Sequence, residues 1–208
     1  MLAPLSELRF DPENHDYFVH DIKLQGSVTE VCSKPSQRAI ETFNKTRHIW
    51  EPRGNSVHDA LECFLLGKEV EMPFAYEDWI EPLLNHSFFN DVEVLAAEYR
   101  LYDIERRLGG SLDFLIKTKK GGIIVGDLKT VGKTKGAAKK RASAKAQLGA
   151  YSRMLMQHKL VPFVDQCVTV ISAPDEVVIR ENLVSDCITS WDKALKSWDE
   201  HLILQGID

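Results

Sequence analysis

GGSLDFLI (109–116), IIVGDLKT (123–130) and AKAQLGAY (144–151) decide the fold of this chain. The first two are apolar runs of strand length, and each carries an acid, Asp113 and Asp127. Gly121-Gly122 after Lys-Thr-Lys-Lys is turn chemistry that joins them as a hairpin. Asp113 stands among Leu112, Phe114, Leu115 and Ile116, where a lone carboxylate is expensive to bury without a partner. Residues i and i+2 of a strand share a face, so Asp127 and Lys129 project together and Asp113 can converge on them. The third stretch is helical, with Ala144, Leu148, Tyr151 and Leu155 on its core side. Gln147 and Tyr151 are four apart on one face.

Working outward, strands are expected over 92–101, 110–116 and 122–127, with Val94, Ala96 and Glu98 alternating against Leu95, Ala97 and Tyr99. The loop 131–136 leads to a helix over 142–159. Strands over 166–172 and 176–182 follow, joined by Ala173-Pro174-Asp175. The last helix, 185–204, carries Trp191, Leu195, Trp198 and Leu202 on one face as core residues rather than a stacking platform. Towards the N-terminus, 16–31 reads as a hairpin. Ser36, after Pro35, caps a helix that runs to Trp50. Pro52 and Gly54 interrupt, and a second helix over 56–66 has Ala60, Phe64 and Leu65 as its apolar side and Gly67 as its stop. A third helix over 76–89 buries Trp79, Ile80, Leu83 and Leu84. These elements predict an α/β fold, a central mixed sheet flanked by helices. Within a single domain of 1–208, 1–90 form a hairpin and helical lobe, 91–182 the catalytic α/β core, and 183–208 a C-terminal helix.

The chain has 208 residues and 44% apolar content, enough for one well-packed domain. It has no apolar run long enough to span a bilayer, and MLAPLSELRFDPE lacks the basic start of a secretion signal. Cys32, Cys63, Cys167 and Cys187 are scattered, which suits reduced thiols better than a disulfide frame or a zinc site. The expected location is the cytoplasm of a bacterium or a phage-infected host cell, with no membrane partner. Net charge is −5, yet Lys133, Lys135, Lys139, Lys140, Arg141 and Lys145 form a run without an acid. Alone such a run is a solvated face; between the Asp-x-Lys strand and the Gln/Tyr helix it is placed to meet a polyanion.

Two carboxylates hold a hard divalent cation, the backbone carbonyl of Leu128 offers a further oxygen, and a lysine beside them can steady a hydroxide or a phosphate oxygen. That is equipment for cutting phosphodiesters. Each member also has a plainer reading. Asp127 and Lys129 can be a salt-bridged strand end, Asp113 can pair with Lys129, and Glu98 can pair with Arg100 or stand exposed. His58 and Glu62, one turn apart, can be surface residues, and Tyr151 a core aromatic with Gln147 its exposed neighbour. Gly54, one turn before His58, would bring the helix start close to the sheet.

Taken in order, Gly54/His58, Glu98, Gly110/Asp113, Asp127/Lys129 and Gln147/Tyr151 resemble the G-x-x-x-H, strand Glu, G-x-x-D, D-x-K and Q-x-x-x-Y series of the RecB-type branch of the PD-(D/E)XK nuclease superfamily. The resemblance spans 54–151. GSVTEVCSKPS is similar to the opening of phage exonucleases and of the mitochondrial genome maintenance exonuclease, except that Gly26 stands where they have Pro. The resemblance implies a restriction-endonuclease-like core with His58, Asp113, Asp127, the Leu128 carbonyl and Glu98 as metal ligands for one or two Mg²⁺ or Mn²⁺ ions. It implies catalysis through Asp113, Asp127, Lys129 and Glu98. It further implies DNA contacts from Gln147, Tyr151 and the basic run, on single strands or duplex ends. The expected activity is that of a metal-dependent DNA exonuclease working from free, single-stranded ends, in replication, recombination, repair or phage DNA metabolism. A structure-specific endonuclease and an inactive DNA-binding subunit are the alternatives. Homo-oligomers and replication or recombination proteins are the other expected partners. Some relatives hold an iron–sulfur cluster through one upstream and three C-terminal cysteines; no third Cys follows Cys167 and Cys187, so no cluster is expected. No G-x-x-x-x-G-K-[ST] loop is present to drive a helicase motor.

Overall fold

The computed structural model describes residues 1–33, 37–174 and 176–205. It is an α/β fold whose mixed sheet has helices on both faces. The long hairpin is its spine. Strand β5 (Val92–Asp103) runs antiparallel along all of β6 (Leu108–Thr118), and β6 turns through Gly121 into β7 (Ile123–Thr130). With β5 covering one edge of β6, two strands share the other edge. The short β4 (Gly26–Ser27) lies parallel to its start, and β7 lies antiparallel to its end. Beyond β7, β8 (Gln166–Ser172) is parallel and β9 (Val177–Asn182) antiparallel. A parallel pair needs a crossover, and the connection from β7 to β8 contains α4 (Ala137–Lys140) and α5 (Lys145–Gln157).

Two apolar cores follow from strand alternation. One face packs Leu112, Leu115, Val125 and Cys167 against Leu148, Tyr151 and Leu155 of α5 and Cys187, Trp191 and Leu195 of α6 (Val184–Gln205). The opposite face packs Phe114, Ile116, Ile124 and Val168 against Val57, Ala60 and Leu61 of α2 (Gln37–Leu65) and Trp79, Ile80 and Leu83 of α3 (Glu77–Leu84). A separate meander, β1 (Leu8–Asp11), β2 (Asp16–Val19) and β3 (Ile22–Lys23), lies against the start of β6, where Tyr17 packs on Gly109.

Several expectations change. The hairpin read over 16–31 begins earlier, at Leu8, and its second half is not a strand: Val28–Cys32 is a short helix, α1. The cause is a capping box, in which Glu30 N–H donates to Ser27 Oγ (3.2 Å) and Ser27 N–H donates to Glu30 Oε2 (2.6 Å). Through β4, residues 26–27 of the N-terminal lobe pair with β6 of the large sheet. The two helices read over 36–50 and 56–66 are one, α2, continuous through Pro52 and Gly54. Pro35 and Ser36 lie outside the described residues. Gly67 does end α2, in the left-handed conformation (φ 65°), with Gly67 N–H donating to Phe64 O and Lys68 N–H to Cys63 O. The third helix stops at Leu84, with single 3₁₀ turns at Phe74–Tyr76 and Ser87–Phe89 on either side. The loop expected before the Gln/Tyr helix contains α4, and α5 starts later than expected, at Lys145. No helix among the described residues is long and apolar enough to cross a membrane.

Proline inside a helix forfeits a backbone hydrogen bond and clashes with the preceding turn, at a cost of about 3 kcal/mol against Ala. Pro52 is exposed on the continuous α2. Pro52→Ala is therefore expected to stabilise the protein by about 1–3 kcal/mol in urea unfolding. An unchanged midpoint would speak instead for a helix already broken at that point.

Candidate metal centre

The site forms where β6 and β7 part. Their ladder runs from Lys117↔Ile123 to Phe114↔Gly126 and then stops, so Asp113 and Asp127 are the first residues past the fork. Gly126 permits the last rung: a Cβ there would overlap the Phe114 ring. In the opened gap Asp113 Oδ2 accepts the Leu128 N–H in place of a strand partner. A strand residue directs its N–H and C=O to the same edge, so the Leu128 carbonyl also opens on the gap. Asp127 and Lys129 share a face as expected, with Lys129 Nζ donating to Asp127 Oδ1 at 2.8 Å.

Glu98 arrives by a less regular route. The β5–β6 register shifts between Val94 and Ala96, and Glu98 itself has φ 44°. Ala96 and Tyr99 both enter the core under α5 while Ala97 packs on the other, so the expected alternation through Glu98 slips. A left-handed non-glycine residue inside a strand costs on the order of 1–3 kcal/mol. Such an irregularity re-aims a side chain, here towards α2. His58 meets it there: its Nδ1 lies 3.6 Å from Glu98 Oε1 and 3.5 Å from Asp113 Oδ1. Val57, Ala60 and Leu61, buried on either side of His58 in α2, fix that helix's rotation.

His58, Glu98 and Asp113 each offer a ligand atom, all within 4.8 Å of one another, a group able to hold a metal ion. Asp127 Oδ2 is buried without a hydrogen-bond partner. Asp127 stands outside that group of three, and its unpartnered carboxylate oxygen, close enough to feel the Asp113 charge, is a place a cation fits. The electrostatics agree. Burial pushes the Asp127 carboxyl up to about 6, the neighbouring Asp113 charge adding to it and Lys129 opposing it. Burial also raises Glu98. Burial works against a charge on His58, but Asp113 and Glu98 outweigh it and lift the imidazole to about 10. The same contest, won by Asp127 and Asp113, holds Lys129 charged. Asp113 is held below its ordinary value because His58, Lys129 and the Leu128 N–H together outweigh its burial. Without an ion, the imidazolium serves as the countercharge between two acids.

Of the remaining expected residues, Tyr151 packs its ring on Gly110, where a Cβ would come within 2.9 Å of it. Burial and the charges of Asp113 and Asp127 raise its phenol well above the ordinary value, so it is a neutral donor next to the acids. Gln147 faces α1 and donates to Thr29 Oγ1 at 3.4 Å. Gly54 does not serve close approach: a Cβ there would meet nothing within 4 Å. Glu62 stays outside the cluster, 3.9 Å from Lys68, although its charge reaches Glu98.

The basic run is a docked loop rather than a free face. Ala138 is buried with Ile171 and Ala173, Ala144 N–H donates to Thr169 Oγ1, and the Arg180 guanidinium donates to the Lys139 carbonyl. Lys133, Lys139 and Lys145 are paired with Asp78 (3.9 Å), Glu176 (3.1 Å) and Asp186 (3.2 Å). Among the described residues no acid lies within ion-pair distance of Lys135, Lys140 or Arg141, and the Arg141 charge reaches Lys129. Sequence reasoning missed Arg53. On α2, just before the Gly54/His58 turn, it reaches Thr130 Oγ1 (3.4 Å) beside Lys129 and lies over the Trp79 ring. Its place immediately before Gly54 was the only signal available.

No family model and no curated protein matches the chain. Among solved structures, the crystal structure of SSO0001 aligns at 17% identity over 82% of this chain and 74% of that one, with a TM-score of 0.39. A likeness of that size carries no argument here, so the reading of the site rests on its own geometry.

Metal ligands must shed their protons, so binding a divalent ion to this group releases protons and weakens as pH falls. Titrating the protein with Mn²⁺ near neutral pH, in buffers of differing ionisation enthalpy, should register about one proton released as His58 gives up its own. The metal-free protein holds the extra protons, so affinity rises with pH. It should fall steeply as pH drops through about 6, where Asp127 is protonated. A pH-independent affinity would remove Asp127 and His58 from the ligand set.

Proposed function

We propose that this chain is a divalent-metal-dependent deoxyribonuclease that hydrolyses phosphodiester bonds from free DNA ends, on a PD-(D/E)XK-type core. The observation that carries the reading is the convergence of His58, Glu98 and Asp113 with the Asp127–Lys129 pair at one strand fork. Four separated segments, α2, β5, β6 and β7, supply these groups, and the fork that unites them leaves Asp127 Oδ2 without a partner. A salt-bridged strand end alone would need neither His58 nor the strained Glu98.

His58, Glu98, Asp113, Asp127 and the Leu128 carbonyl make a mixed oxygen and nitrogen donor set suited to Mg²⁺ or Mn²⁺. Such an ion, once bound, lowers the pKa of a water it holds and offsets charge on the scissile phosphate. The protein's own residues do the rest. Asp127 holds the Lys129 ammonium in place, and from there Lys129 orients the attacking water and counters negative charge as it develops on the phosphate. Asp113, on β6, ties β7 and α2 together through Leu128 N–H and His58, so the donors stay registered to one another. Tyr151 supplies a neutral phenolic donor. Arg53, Lys140 and Arg141 give the backbone of a nucleic acid sequence-independent contacts, whose strength falls with salt.

The test is degradation of end-labelled linear DNA beside closed circular DNA, single- and double-stranded, with Mg²⁺, Mn²⁺ or EDTA. Metal-dependent loss of the linear forms alone is the expected result. Cutting of circles would favour an endonuclease on the same core, and DNA binding without cutting in any metal would mean a non-catalytic subunit. Lys129→Ala should lower the rate by about 10²–10³ with DNA binding nearly intact. A variant that kept most of its activity would remove Lys129 from its role.

Reversing the charge of Lys140 and Arg141 together should raise KM and flatten the salt dependence. No change in either would reduce the loop to a structural strap.

A further inference from the structure

Next to Glu98 the protein has a cavity of about 200 Å³ that the cluster at the fork does not use. Residues 96–100 of β5 form its floor, Leu66 after α2 one wall, and the N-terminal segment up to Leu8 the other. That segment is tied down: Leu2 N–H donates to Leu95 O (2.7 Å), and the Tyr99 hydroxyl donates to Ala3 O (2.7 Å). The lining is mostly apolar, from Leu5, Leu8, Leu66 and Ala97, and its polar end carries Glu98 and the exposed Arg100. Glu98 therefore belongs both to this cavity and to the group that can hold a metal ion.

An occupant of the cavity would lie beside Glu98. At about 200 Å³ it is smaller than the roughly 300–1,000 Å³ of sites for drug-sized ligands, so a single ring system fits and a base pair does not. The occupant must be apolar on its faces and polar at an edge, to meet the leucines and the Glu98/Arg100 end together. In a nucleic acid that unit is an unpaired base. We propose that the cavity seats one unpaired base of the strand being cut, which makes the substrate single-stranded at the scissile nucleotide. This rests on the nuclease reading above and gives the expected preference for single-stranded ends a place in the fold. Extruding a base from a duplex costs a few kcal/mol, a cost that an already single strand does not carry.

The experiment binds a short single-stranded oligonucleotide to the full chain in Ca²⁺, which replaces the activating ion, while one abasic residue is moved along the strand. The expected result is a roughly tenfold loss of affinity at one position and little change elsewhere. Leu66→Trp, which fills the cavity from the wall just after α2, should bind the intact strand as weakly as the wild-type protein binds the abasic one. It should also lose the positional effect. Leu8→Phe, from the opposite wall, should do the same, which guards against one variant failing to fold. A flat abasic scan with strong binding would overturn the base seat and leave the nuclease reading standing. Failure of the wild-type protein to bind any strand would overturn both.

Discussion

The hydrogen bond from Leu128 N–H to Asp113 Oδ2 is the constraint on which the site depends. Past Phe114↔Gly126 the two strands cease to pair, and the freed backbone needs a partner in a region too buried for water to supply one. A carboxylate takes that place. One oxygen of Asp113 holds the edge of β7 while the other faces His58, so a single side chain sets the distance between the hairpin and α2. Remove it and both the strand fork and the helix contact lose their common point.

Such a site is costly to keep folded. Three carboxylates, an imidazolium and an ammonium stand together, two of the acids raised by burial and one oxygen of Asp127 unpaired. Burying charge is favourable only when pairing is nearly complete, and here it is not. The left-handed backbone of Glu98 adds local strain. Two ordinary cores on either side of the sheet, closed around Phe114 and Leu115, supply the stability that tolerates this arrangement.

The surrounding elements also act as parts of one frame. Trp79 on α3 donates its indole N–H to Val131 O (2.8 Å), and Ser172 on β8 donates to Trp79 O (2.8 Å), so the chain leaving Lys129 is pinned as it departs. Arg53 crosses the same junction from α2. The basic loop continues from that pinned point and is itself anchored on β8 and β9, which leaves only part of its charge unpaired.

The sequence by itself determined the strands β5 to β9, the turn at Gly121-Gly122, the stop at Gly67, the core faces of α5 and α6, and the sharing of one face by Asp127 and Lys129. Each follows from period or from local backbone chemistry. The capping box of Ser27 and Glu30 is a local pattern too, yet the short helix it starts lies inside the stretch that reads as a hairpin. Continuity of α2 through Pro52 was not legible. A proline's local cost is readable, whereas the burial of Val57, Ala60 and Leu61 against the sheet that offsets it is not. Only the tertiary structure decided that His58 lies between Glu98 and Asp113, that Glu98 breaks its strand's alternation, that half the basic run is already paired, and that a cavity opens beside Glu98. Those depend on contacts between segments far apart in the chain, and neither period nor propensity carries that distance.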